Sequence, residues 1–570
     1  MRITNIEINN FRGIRKSMIS FPLDSRIICL IGAGDSTKTT ILKAIEWAFW
    51  PTWNLVVADT DFYDGDTITP IIIRATFSEF PDLFLSEDKY GLFLRRPNAL
   101  FGEDIDDEPQ DNLPLCLTIQ LTIDATLEPK WEIVCNRMEP KLISHNDRKQ
   151  LYVGSIGANV SKDLVWGKNS VLQKYADAKG VLHDAYTDSL RNAAKNADLS
   201  ALDSVSVTLS SVGKKYGVYF EDQIKSRLLI QNNSFSSTVG LFDGDAPLSQ
   251  LGTGSQRLLS MGLNIGISSC NALLLIDEVE NGLEPYRLRN LINEFRDSRS
   301  SAGQILMTTH SPVTVAECVI DEIMVIHSIN GTTNAFVLKS DQIGVNDTIQ
   351  AQVRRNPESF LSKRLVVCEG STEIGFIRAF DRFLAKTKNY RMAYKGVNIA
   401  DGNGANIFKC ADIFRECGYD ICIVMDSDND NDKSEKAKMR EAGVKVFDWD
   451  EHNALEEQFF MELPMNAIQC SIDLATSYKG IDSIASKLTE GNIPFEKAEG
   501  HLIISSLVSE QRKSLGRIAK ENAWYKRIGL GEQLSSILFN NYNALCNTST
   551  IKRIVDGLSE WVMKDEEART

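Results

Sequence analysis

The sequence predicts an α/β protein with two domains. This prediction rests on apolar strands that lead directly into a glycine-containing loop or into acidic residues. A short apolar strand at residues 27–31 leads into a glycine-containing loop and then a helix. A second buried strand at 273–276 ends in two acidic residues, and after about residue 345 further apolar strands again end in acids. We therefore predict a first domain at residues 1–345 and a second domain, with a helical C-terminal region, at 346–570.

A helical insertion is predicted within the first domain, at about residues 163–213. The segment is polar, rich in Ala and helical in its periodicity. It serves either as a dimerisation arm or as a cover for a sheet face, and periodicity does not separate the two.

The composition is that of a globular protein, since 43% of the 570 residues are hydrophobic and 24% are charged. The net charge of −15 argues against an overall basic protein that coats nucleic acid, but it leaves room for a local basic groove. No apolar run reaches the length of a membrane span, and Met1–Glu7 is no signal peptide, so we expect a cytoplasmic protein without a membrane partner. The eleven cysteines include no C-x-x-C pair, which favours buried free thiols over disulfides or zinc ligands.

The N-terminal residues predict a β-rich layer ahead of the loop. Ile3, Ile6 and Ile8 alternate with polar residues, which is typical of a half-solvated antiparallel edge strand. Further strands are predicted near 71–80, 115–123 and 131–135. The acidic segment Glu103–Asp111 is predicted to be a solvated loop.

The stretch Gly32–Thr40 has the features of a phosphate-binding loop. Such a loop directs backbone N–H groups and a helix N-terminus at the phosphates, and adds a Lys for the terminal phosphates and a Ser or Thr for Mg²⁺. Lys38 and Thr39 fit these last two roles. The other candidate nucleotide-binding residues of the loop are Gly32, Gly34 and Thr40. Thr37 stands where the usual pattern has Gly, and an ordinary strand-to-helix turn is the alternative.

Residues 248–312 add the other parts of a nucleotide site. Leu251–Gln256 precedes an apolar helical segment. Asp277 and Glu278 end a buried strand, where the first carboxylate is suited to Mg²⁺ and the second to orienting a water. His310 ends another strand, where it is suited to sensing the terminal phosphate, although a lone His there is usually structural. The order of these motifs favours the functional interpretation.

These motifs resemble those of the ATP-binding-cassette ATPases of the structural-maintenance-of-chromosomes (SMC) and RecF type. The matching segments are Asn10–Ile14, Gly32–Thr40, Leu251–Gln256, Ile276–Pro285 and Thr309–Pro312. In that family ATP lies between two heads, and the signature of one head completes the site of the other. The resemblance implies that Gly252, Thr253 and Gly254 serve a partner's nucleotide and that the protein is at least a homodimer. Thr37, and Gly252 where the family often has Ser, are departures that bear more on turnover than on binding.

The second domain predicts a metal site. Glu369 and Glu373 flank a Gly turn after one predicted strand, and Asp426 and Asp428 follow another. Alternate residues of an extended segment project to the same side, so the two aspartates can face one metal. Carboxylates of this kind suit Mg²⁺ or Mn²⁺. The alternative is a helix cap and an unrelated polar loop.

Together these acids resemble the Toprim domain, the metal-dependent fold of topoisomerases, primases and related nucleases. A strand and Gly-rich turn at Val397–Asn406 lie where that family has one, and make Asp401 a weaker ligand candidate. Downstream, Asn453–Phe459 offers another carboxylate, with Glu457 slightly preferred; an ordinary acidic helix start is the alternative.

An ATPase head followed by a Toprim domain resembles the overcoming-lysogenization-defect (OLD) family of nucleases over nearly the full chain. In that family two metals clamp the attacking and leaving oxygens of a DNA phosphodiester. The resemblance implies that Glu369 is a metal ligand or general base. The other implied metal ligands are Glu373, Asp426 and Asp428. A late Lys is also implied: Lys526 is the candidate, and its rivals are Lys513, Arg517 and Lys520.

The expected function is an ATP-binding DNA endonuclease or nickase that depends on Mg²⁺ or Mn²⁺ and is regulated by its ATPase dimer. The resemblance also implies an anti-phage effector. Its partner would be a reverse transcriptase with its DNA–RNA product, or a helicase. The main alternative is an ATP-gated DNA-binding scaffold with a non-cutting Toprim fold, and another is phosphoryl or nucleotidyl transfer to a different substrate. Clustered carboxylates repel one another without a metal, which favours cutting over a scaffold.

Overall fold

The computed structural model describes residues 1–97, 105–106, 114–157, 164–166, 199–229, 238–267, 272–297, 303–338, 345–450, 452–498 and 500–564. The chain divides into two compact units, Met1–Asn346 and Asp347–Thr570. Each unit is α/β and has a hydrophobic core of its own.

The first unit consists of a large sheet, a small sheet and short helices. Its described strands are β1 (Arg2–Phe11), β2 (Ile14–Ser20), β3 (Ile27–Ile31), β4 (Ile71–Ser78), β5 (Arg96–Pro97), β6 (Ile105–Asp106), β7 (Cys116–Ile123), β8 (Pro129–Val134), β9 (Lys141–Leu142), β10 (Val153–Ile156), β11 (Val165–Trp166), β12 (Ile224–Leu229), β13 (Thr238–Asp243), β14 (Ala246–Pro247), β15 (Leu273–Ile276), β16 (Gln304–Thr308), β17 (Ile323–Ile329) and β18 (Thr332–Val337). Its described helices are α1 (Lys38–Ala48), α2 (His145–Arg148), α3 (Asp203–Lys215), α4 (Thr253–Ile267), α5 (Pro285–Asp297) and α6 (Pro312–Glu317).

The large sheet has the order β10-β15-β16-β3-β17-β18-β2-β1-β4-β7-β8-β9. Strands β10, β15, β16, β3 and β17 are parallel, and every residue of β3, β15 and β16 is buried. Burial on both faces accounts for the nearly continuous apolar sequence of these strands. The carboxyl ends of parallel strands share one edge, so the segments that follow β3, β15 and β16 meet there.

The N-terminal strand β1 is not the edge strand that its alternating pattern predicts. It lies between β2 and β4 and pairs antiparallel with both. Ile3, Ile6 and Ile8 are at most 1% exposed, while Glu7 and Asn9 are half-buried. The alternation therefore reflects a sheet with one covered face, and it carries no information on which strands pair with β1.

Most of the predicted helical insertion at 163–213 lies outside the described residues. Within it the structure describes β11, a 3-10 turn at Ser200–Leu202 and all but the last two residues of α3. A Cβ at Gly262 would collide with Val212, so α3 packs closely against α4. Of the acidic segment predicted as a loop, Ile105 and Asp106 form β6, and the rest also lies outside the described residues.

The second unit is built on a parallel sheet in the order β20-β19-β21-β22. Its described strands are β19 (Arg364–Cys368), β20 (Val397–Asp401), β21 (Asp420–Met425), β22 (Lys445–Asp448), β23 (Phe495–Ala498) and β24 (His501–Ile504). Its described helices, the first of which starts at the boundary of the units, are α7 (Val345–Arg355), α8 (Ser371–Lys388), α9 (Ile407–Glu416), α10 (Lys433–Glu441), α11 (Leu455–Glu462), α12 (Met465–Lys479), α13 (Ile481–Glu490), α14 (Ser509–Glu521), α15 (Ile528–Asn540) and α16 (Thr550–Met563).

The described cysteines are free thiols, as predicted, and Cys29, Cys368 and Cys422 are buried. No helix in the described ranges combines the length and apolar character needed to cross a membrane.

Candidate ATP site and metal centre

The loop after β3 wraps around the ammonium group of Lys38. That group donates hydrogen bonds to the carbonyl oxygens of Gly32 (2.9 Å) and Ala33 (2.7 Å) and to the Ser36 hydroxyl (3.0 Å). Burial lowers the pKa of Lys38 to about 8. A Cβ at Gly32 would collide with the Ile326 carbonyl oxygen, so the close approach of β17 requires Gly here. The loop thus has the Lys and the close backbone packing of a phosphate site.

The residue that departs from the usual pattern, Thr37, adopts the left-handed backbone conformation that favours Gly, with φ = 66°. Its hydroxyl group bonds with the Thr333 hydroxyl on β18 at 2.9 Å and with the Ser36 carbonyl oxygen at 2.6 Å. The methyl group of Thr37 lies beside Gly13. These contacts explain how the loop keeps this conformation with a side chain at that position.

The predicted Mg²⁺ residues of the ATP site lie together. The Thr39 hydroxyl donates to Asp277 Oδ1 at 2.9 Å, and the Thr308 hydroxyl donates to the same oxygen at 2.6 Å. Glu278 is exposed, has φ = 48°, and donates its backbone N–H to the Thr308 hydroxyl at 2.8 Å. The hydroxyl and carboxylate oxygens are donors that fit Mg²⁺, and the exposed Glu278 fits the orientation of a water.

The other predicted residues of the ATP site are spread along the same unit. Gly34 is exposed and Thr40 is half-buried in the first turn of α1. His310 is exposed after β16, and its backbone N–H donates to Glu280 Oε1 at 2.6 Å. Glu280 also accepts from the Thr309 hydroxyl at 2.6 Å, so an acid that we did not predict fixes the backbone around His310.

The signature residues lie at the start of α4. Gly252 and Thr253 are exposed, as a surface that meets another molecule requires. Gly254 is buried against the loop after the acids, where a Cβ would collide with the Gly282 carbonyl oxygen. At Gly252, by contrast, nothing lies within 4 Å of a Cβ. The two signature glycines therefore differ, because Gly254 is packed against the backbone and Gly252 is not.

Arg257 connects the signature helix to the acids, and sequence reasoning missed it. Its side chain is 1% exposed and donates to the carbonyl oxygens of Gly157 (2.7 Å), Asp277 (2.8 Å) and Glu278 (2.9 Å). Burial lowers the pKa of Arg257. Arg257 therefore links α4 directly to the backbone of Asp277 and Glu278. The only sequence signal was its position directly after the signature.

In the second unit, the backbone of Glu369 is held on both sides of β19. Its N–H donates to the Val424 carbonyl oxygen at 3.1 Å, and its carbonyl accepts from the Gly404 N–H at 2.8 Å. The Glu369 carboxylate accepts from the Asp426 N–H at 2.9 Å. Asp426 Oδ1 in turn accepts from the Leu455 N–H at 3.0 Å, so this carboxylate is fixed at the start of α11.

Five carboxylates form what we call the acidic cluster: Glu369, Glu373, Asp426, Asp428 and Glu456. Burial is the first cause that raises the pKa of Glu373, to about 8, and the charges of Glu456 and Glu369 add to it. Burial also raises the pKa of Asp426 well above its usual range, and Glu373, Glu369, Glu456 and Asp428 contribute in that order. Buried acids of like charge are unfavourable without a cation.

The donor chemistry of the acidic cluster fits a hard divalent cation. Carboxylate oxygens are the ligands that Mg²⁺ and Mn²⁺ prefer. The ammonium group of Lys520 already contacts the Asp428 carboxylate, which marks this side of the cluster as favourable for positive charge. Across the described ranges, no three His, Cys, Asp or Glu side chains converge closely enough to hold a metal ion as they stand. The fit therefore rests on the kind of donor and on the burial of Glu373 and Glu456, since Glu369 and Asp426 are half-buried and Asp428 is exposed.

Of the two adjacent acids at the start of α11, Glu456 rather than the preferred Glu457 adds its charge to Glu373 and Asp426. Glu456 is 5% exposed and raises the pKa of Glu373 and Asp426. Glu457 instead accepts from the Ala454 N–H at 2.8 Å, which caps α11, and pairs with Arg517 at 3.5 Å. Its carboxylate is committed to the helix start, the alternative considered for this segment.

The cation in contact with the acidic cluster is Lys520, one of the rivals of Lys526. Lys526 is exposed and lowers the pKa of Glu456 through its charge, without a described hydrogen bond to the cluster. Asp401 is also separate from the cluster, because its carboxylate pairs with Arg355 at 3.1 Å and accepts from the Asn403 N–H at 2.9 Å.

Binding of Mn²⁺ is expected to raise the melting temperature of the second unit by roughly 5–10 °C at 100 times the dissociation constant, because a ligand at that concentration adds about 2.7 kcal/mol. Asp426→Asn should raise the melting temperature without metal, since it removes a half-buried acid from repelling neighbours and keeps the acceptor for Leu455, and should remove the shift. Differential scanning fluorimetry measures both. Asp482→Asn, at an exposed ion pair with Lys497, is the control and should change neither. A metal shift that persists in Asp426→Asn would contradict this placement.

Comparison with known proteins supports an ATPase followed by a Toprim domain. The protein-family model described as "AAA ATPase domain" matches residues 1–198. A second family model, "AAA domain, putative AbiEii toxin, Type IV TA system", matches residues 147–316. The model "Overcoming lysogenization defect protein-like, TOPRIM domain" matches 360–428, which contains Glu369, Glu373, Asp426 and Asp428. None of the curated proteins compared with the chain matches it.

Solved SMC heads are weakly similar to the chain. An SMC head bound to the C-winged helix domain of ScpA is 15% identical, with 60% of this chain and 98% of that chain covered and a TM-score of 0.38. The Smc head from Pyrococcus furiosus, which has an extended coiled coil and is bound to the C-terminal domain of ScpA, is 12% identical. That match covers 62% of this chain and 99% of that chain, with a TM-score of 0.39. The SMC head domain from Thermotoga maritima is 13% identical, with 60% of this chain and 100% of that chain covered and a TM-score of 0.29. The family models, rather than these weak likenesses, carry the assignment.

The fold and the sites thus define an α/β protein in which an AAA-type ATPase region precedes a Toprim domain. This combination matches an ATPase–Toprim fusion of the OLD family, and the predicted resemblance is confirmed. Domains of these two kinds generally use ATP and divalent metals, and their combination suggests an ATP-dependent nuclease.

Proposed function

We propose that the protein is a Mg²⁺- or Mn²⁺-dependent DNA endonuclease or nickase whose ATPase heads dimerise around ATP and regulate cutting. The observation that carries the proposal is the acidic cluster, because its carboxylates repel one another, Glu373 and Glu456 are buried, and such a group needs a cation. Glu369 and Asp426 directly follow β19 and β21. A scaffold that only binds DNA has no use for such an arrangement.

The cluster residues have distinct parts in the proposed reaction. Glu373, Asp426, Asp428 and Glu456 hold the cations, with Glu369 as a further ligand or as the base for the attacking water. Divalent cations at such a site activate the water and stabilise charge on the leaving oxygen. Lys520 lies at the cluster with its side chain 33% exposed, where its ammonium group is suited to bind a phosphate oxygen of the scissile group. The exposed Lys526 adds positive charge for the DNA backbone.

The ATPase part of the proposal rests on Lys38, Thr39, Asp277 and Glu278, with His310 near the terminal phosphate. The exposure of Gly252 and Thr253 supports dimerisation, because the resemblance assigns these signature residues to a partner's nucleotide. An anti-phage role is supported by the OLD-like match and by the match of residues 147–316 to a toxin-type AAA family model. A reverse transcriptase with its DNA–RNA product, or a helicase, is the kind of partner such an effector would have.

The test is cleavage of supercoiled and linear DNA by purified protein with Mg²⁺ or Mn²⁺, with and without ATP. Glu369→Ala is expected to lower cleavage by at least about 1,000-fold, as expected for loss of a group that acts at the reacting phosphate, while ATP binding is retained. Glu416→Ala, at an exposed acid at the end of α9, is the control and should cut normally. Retained cleavage by Glu369→Ala would refute the site. DNA binding without cleavage under every condition, with the DNA–RNA product also supplied, would favour the scaffold.

A further inference from the structure

Lys436 on α10 is a buried cation behind the metal-binding loop. It is 6% exposed, and its ammonium group donates to the Asp426 carbonyl oxygen at 2.8 Å and to the Ser427 hydroxyl at 3.0 Å. It also pairs with Asp448 Oδ2 on β22 at 3.2 Å. An ammonium group loses hydration when it is buried, so these three contacts replace water as its partners.

Asp426 is thereby fixed through three different groups. Its backbone N–H donates to Glu369, its carboxylate accepts from the Leu455 N–H, and its carbonyl oxygen accepts from Lys436. The first contact comes from the acidic cluster and the second from the backbone at the start of α11. Lys436 holds the loop from α10 through the Asp426 carbonyl oxygen and the Ser427 hydroxyl.

Lys436 and Lys520 contact the same loop in different ways. Lys520 touches the carboxylate of Asp428 itself and is 33% exposed, so a metal or phosphate can take its place at that carboxylate. Lys436 touches backbone and hydroxyl oxygens, and its side chain is 7% exposed. The first contact is exchangeable, whereas the second is built into the fold.

We propose that Lys436 is a positioning residue for the metal centre, which sets the conformation of Asp426–Asp428 so that both carboxylates bind one cation. This inference rests on the proposed function of the acidic cluster. Partners that orient metal ligands commonly change metal affinity by about 10–100-fold when they are removed. Lys436 acts through the ligand backbone and does not itself bind the metal or DNA.

A purely structural role for Lys436 makes a different prediction. It would attach α10 to β22 through Asp448, and its loss would lower stability without a specific effect on metal affinity. Arg440 also donates to Asp448, at 2.9 Å, so the attachment of α10 to β22 persists when Lys436 is replaced. The two roles are therefore separable in one variant.

The experiment measures Mn²⁺ binding by the full-length protein without ATP or DNA, from the electron paramagnetic resonance signal of free Mn²⁺. Lys436→Met is expected to weaken binding about 10-fold, and Lys436→Arg less, because a guanidinium keeps the charge and donors. Lys438→Met is the matched control on the same helix, since Lys438 is exposed and pairs with Glu435 at 2.6 Å. Its Mn²⁺ affinity should equal that of the unsubstituted protein.

The outcomes separate this inference from the function on which it rests. Affinity of Lys436→Met within about twofold of the unsubstituted protein would overturn the positioning role. Ser427→Ala removes one contact of the same ammonium group and should weaken Mn²⁺ binding in the same direction, which keeps the test decisive if Lys436→Met fails to fold. Absence of Mn²⁺ binding by the unsubstituted protein would overturn the proposed function itself. In cleavage assays, Lys436→Met should need about 10 times more metal for half-maximal rate, with a nearly unchanged rate at saturation.

Discussion

Glu456→Gln is expected to lower DNA cleavage by at least about 100-fold, whereas Glu457→Gln should change it by less than about threefold. The two residues are neighbours on α11, but only Glu456 contributes its charge to Glu373 and Asp426. Gln keeps the size of Glu and removes the charge that a cation needs. At position 457, Gln still accepts from the Ala454 N–H and keeps the helix cap.

Stability measurements make this comparison sharper. Glu456→Gln removes one of several repelling buried charges, so its melting temperature without metal should rise or stay the same. Glu457→Gln loses the ion pair with Arg517, which is 58% exposed, so a small decrease at most is expected. Equal loss of cleavage in both variants, or loss only in Glu457→Gln, would mean that Glu456 is not the distinguishing metal ligand. Either result would contradict the composition of the acidic cluster.

The case of Glu456 and Glu457 illustrates what the sequence could not determine. Successive residues on a helix point about 100° apart, so at most one of two adjacent acids faces a given site. Which one does so depends on the rotation of α11, and that is fixed by packing. A Cβ at Gly516 would collide with the backbone of Glu457, so α14 lies directly against this side of α11.

The same packing explains why Lys520 rather than Lys526 reaches the cluster. Lys520 lies four residues after Gly516 and therefore on the same face of α14. Lys526 comes after the helix has ended at Glu521 and is exposed. The sequence contains several late cations of the right chemistry. Which of them reaches the cluster depends on the close contact between α11 and α14, which are distant in sequence.

The fold was more predictable than these contacts because it follows from local patterns. Continuous apolar runs at β3, β15, β19 and β21 predict buried parallel strands, and the residues that follow them lie at sheet edges in the structure. Pairing of β1 on both sides was not predictable, because alternation reports which face is covered and not which strands are neighbours. Arg257 was missed for a similar reason, since its partners are carbonyl oxygens, which leave no trace in the sequence.

A mixture of two inactive variants is expected to recover ATP hydrolysis if each ATP site is completed by the partner's signature. Lys38→Ala removes the ammonium group from the phosphate loop, and Gly252→Asp adds a negative charge at an exposed signature position. A side chain introduced at position 252 has room, because nothing lies within 4 Å of a Cβ there. Each variant alone lacks one half of both sites in a dimer and should be inactive.

In a dimer of one Lys38→Ala and one Gly252→Asp subunit, the intact loop of the second faces the intact signature of the first. Half of the dimers in an equal mixture are mixed and each has one complete site, so about a quarter of the unsubstituted activity should return if the sites act independently. Gly252→Ser, the residue that the related ATPases often have, is the control and should be active by itself. The subunits are mixed before ATP is added, and hydrolysis is measured together with ATP-dependent dimer formation by gel filtration.

A mixture that stays inactive, with Gly252→Ser active, would mean that the signature serves the nucleotide of its own subunit or none. Recovery would give the buried Arg257 a specific role, because α4 would then sense the partner's nucleotide and carry that state to the Asp277 and Glu278 carbonyl oxygens. The two sites of a dimer would be coupled through this guanidinium. Arg257→Lys keeps the charge but lacks the planar donor fork, so it should fold and bind ATP yet lose the recovery in the mixture.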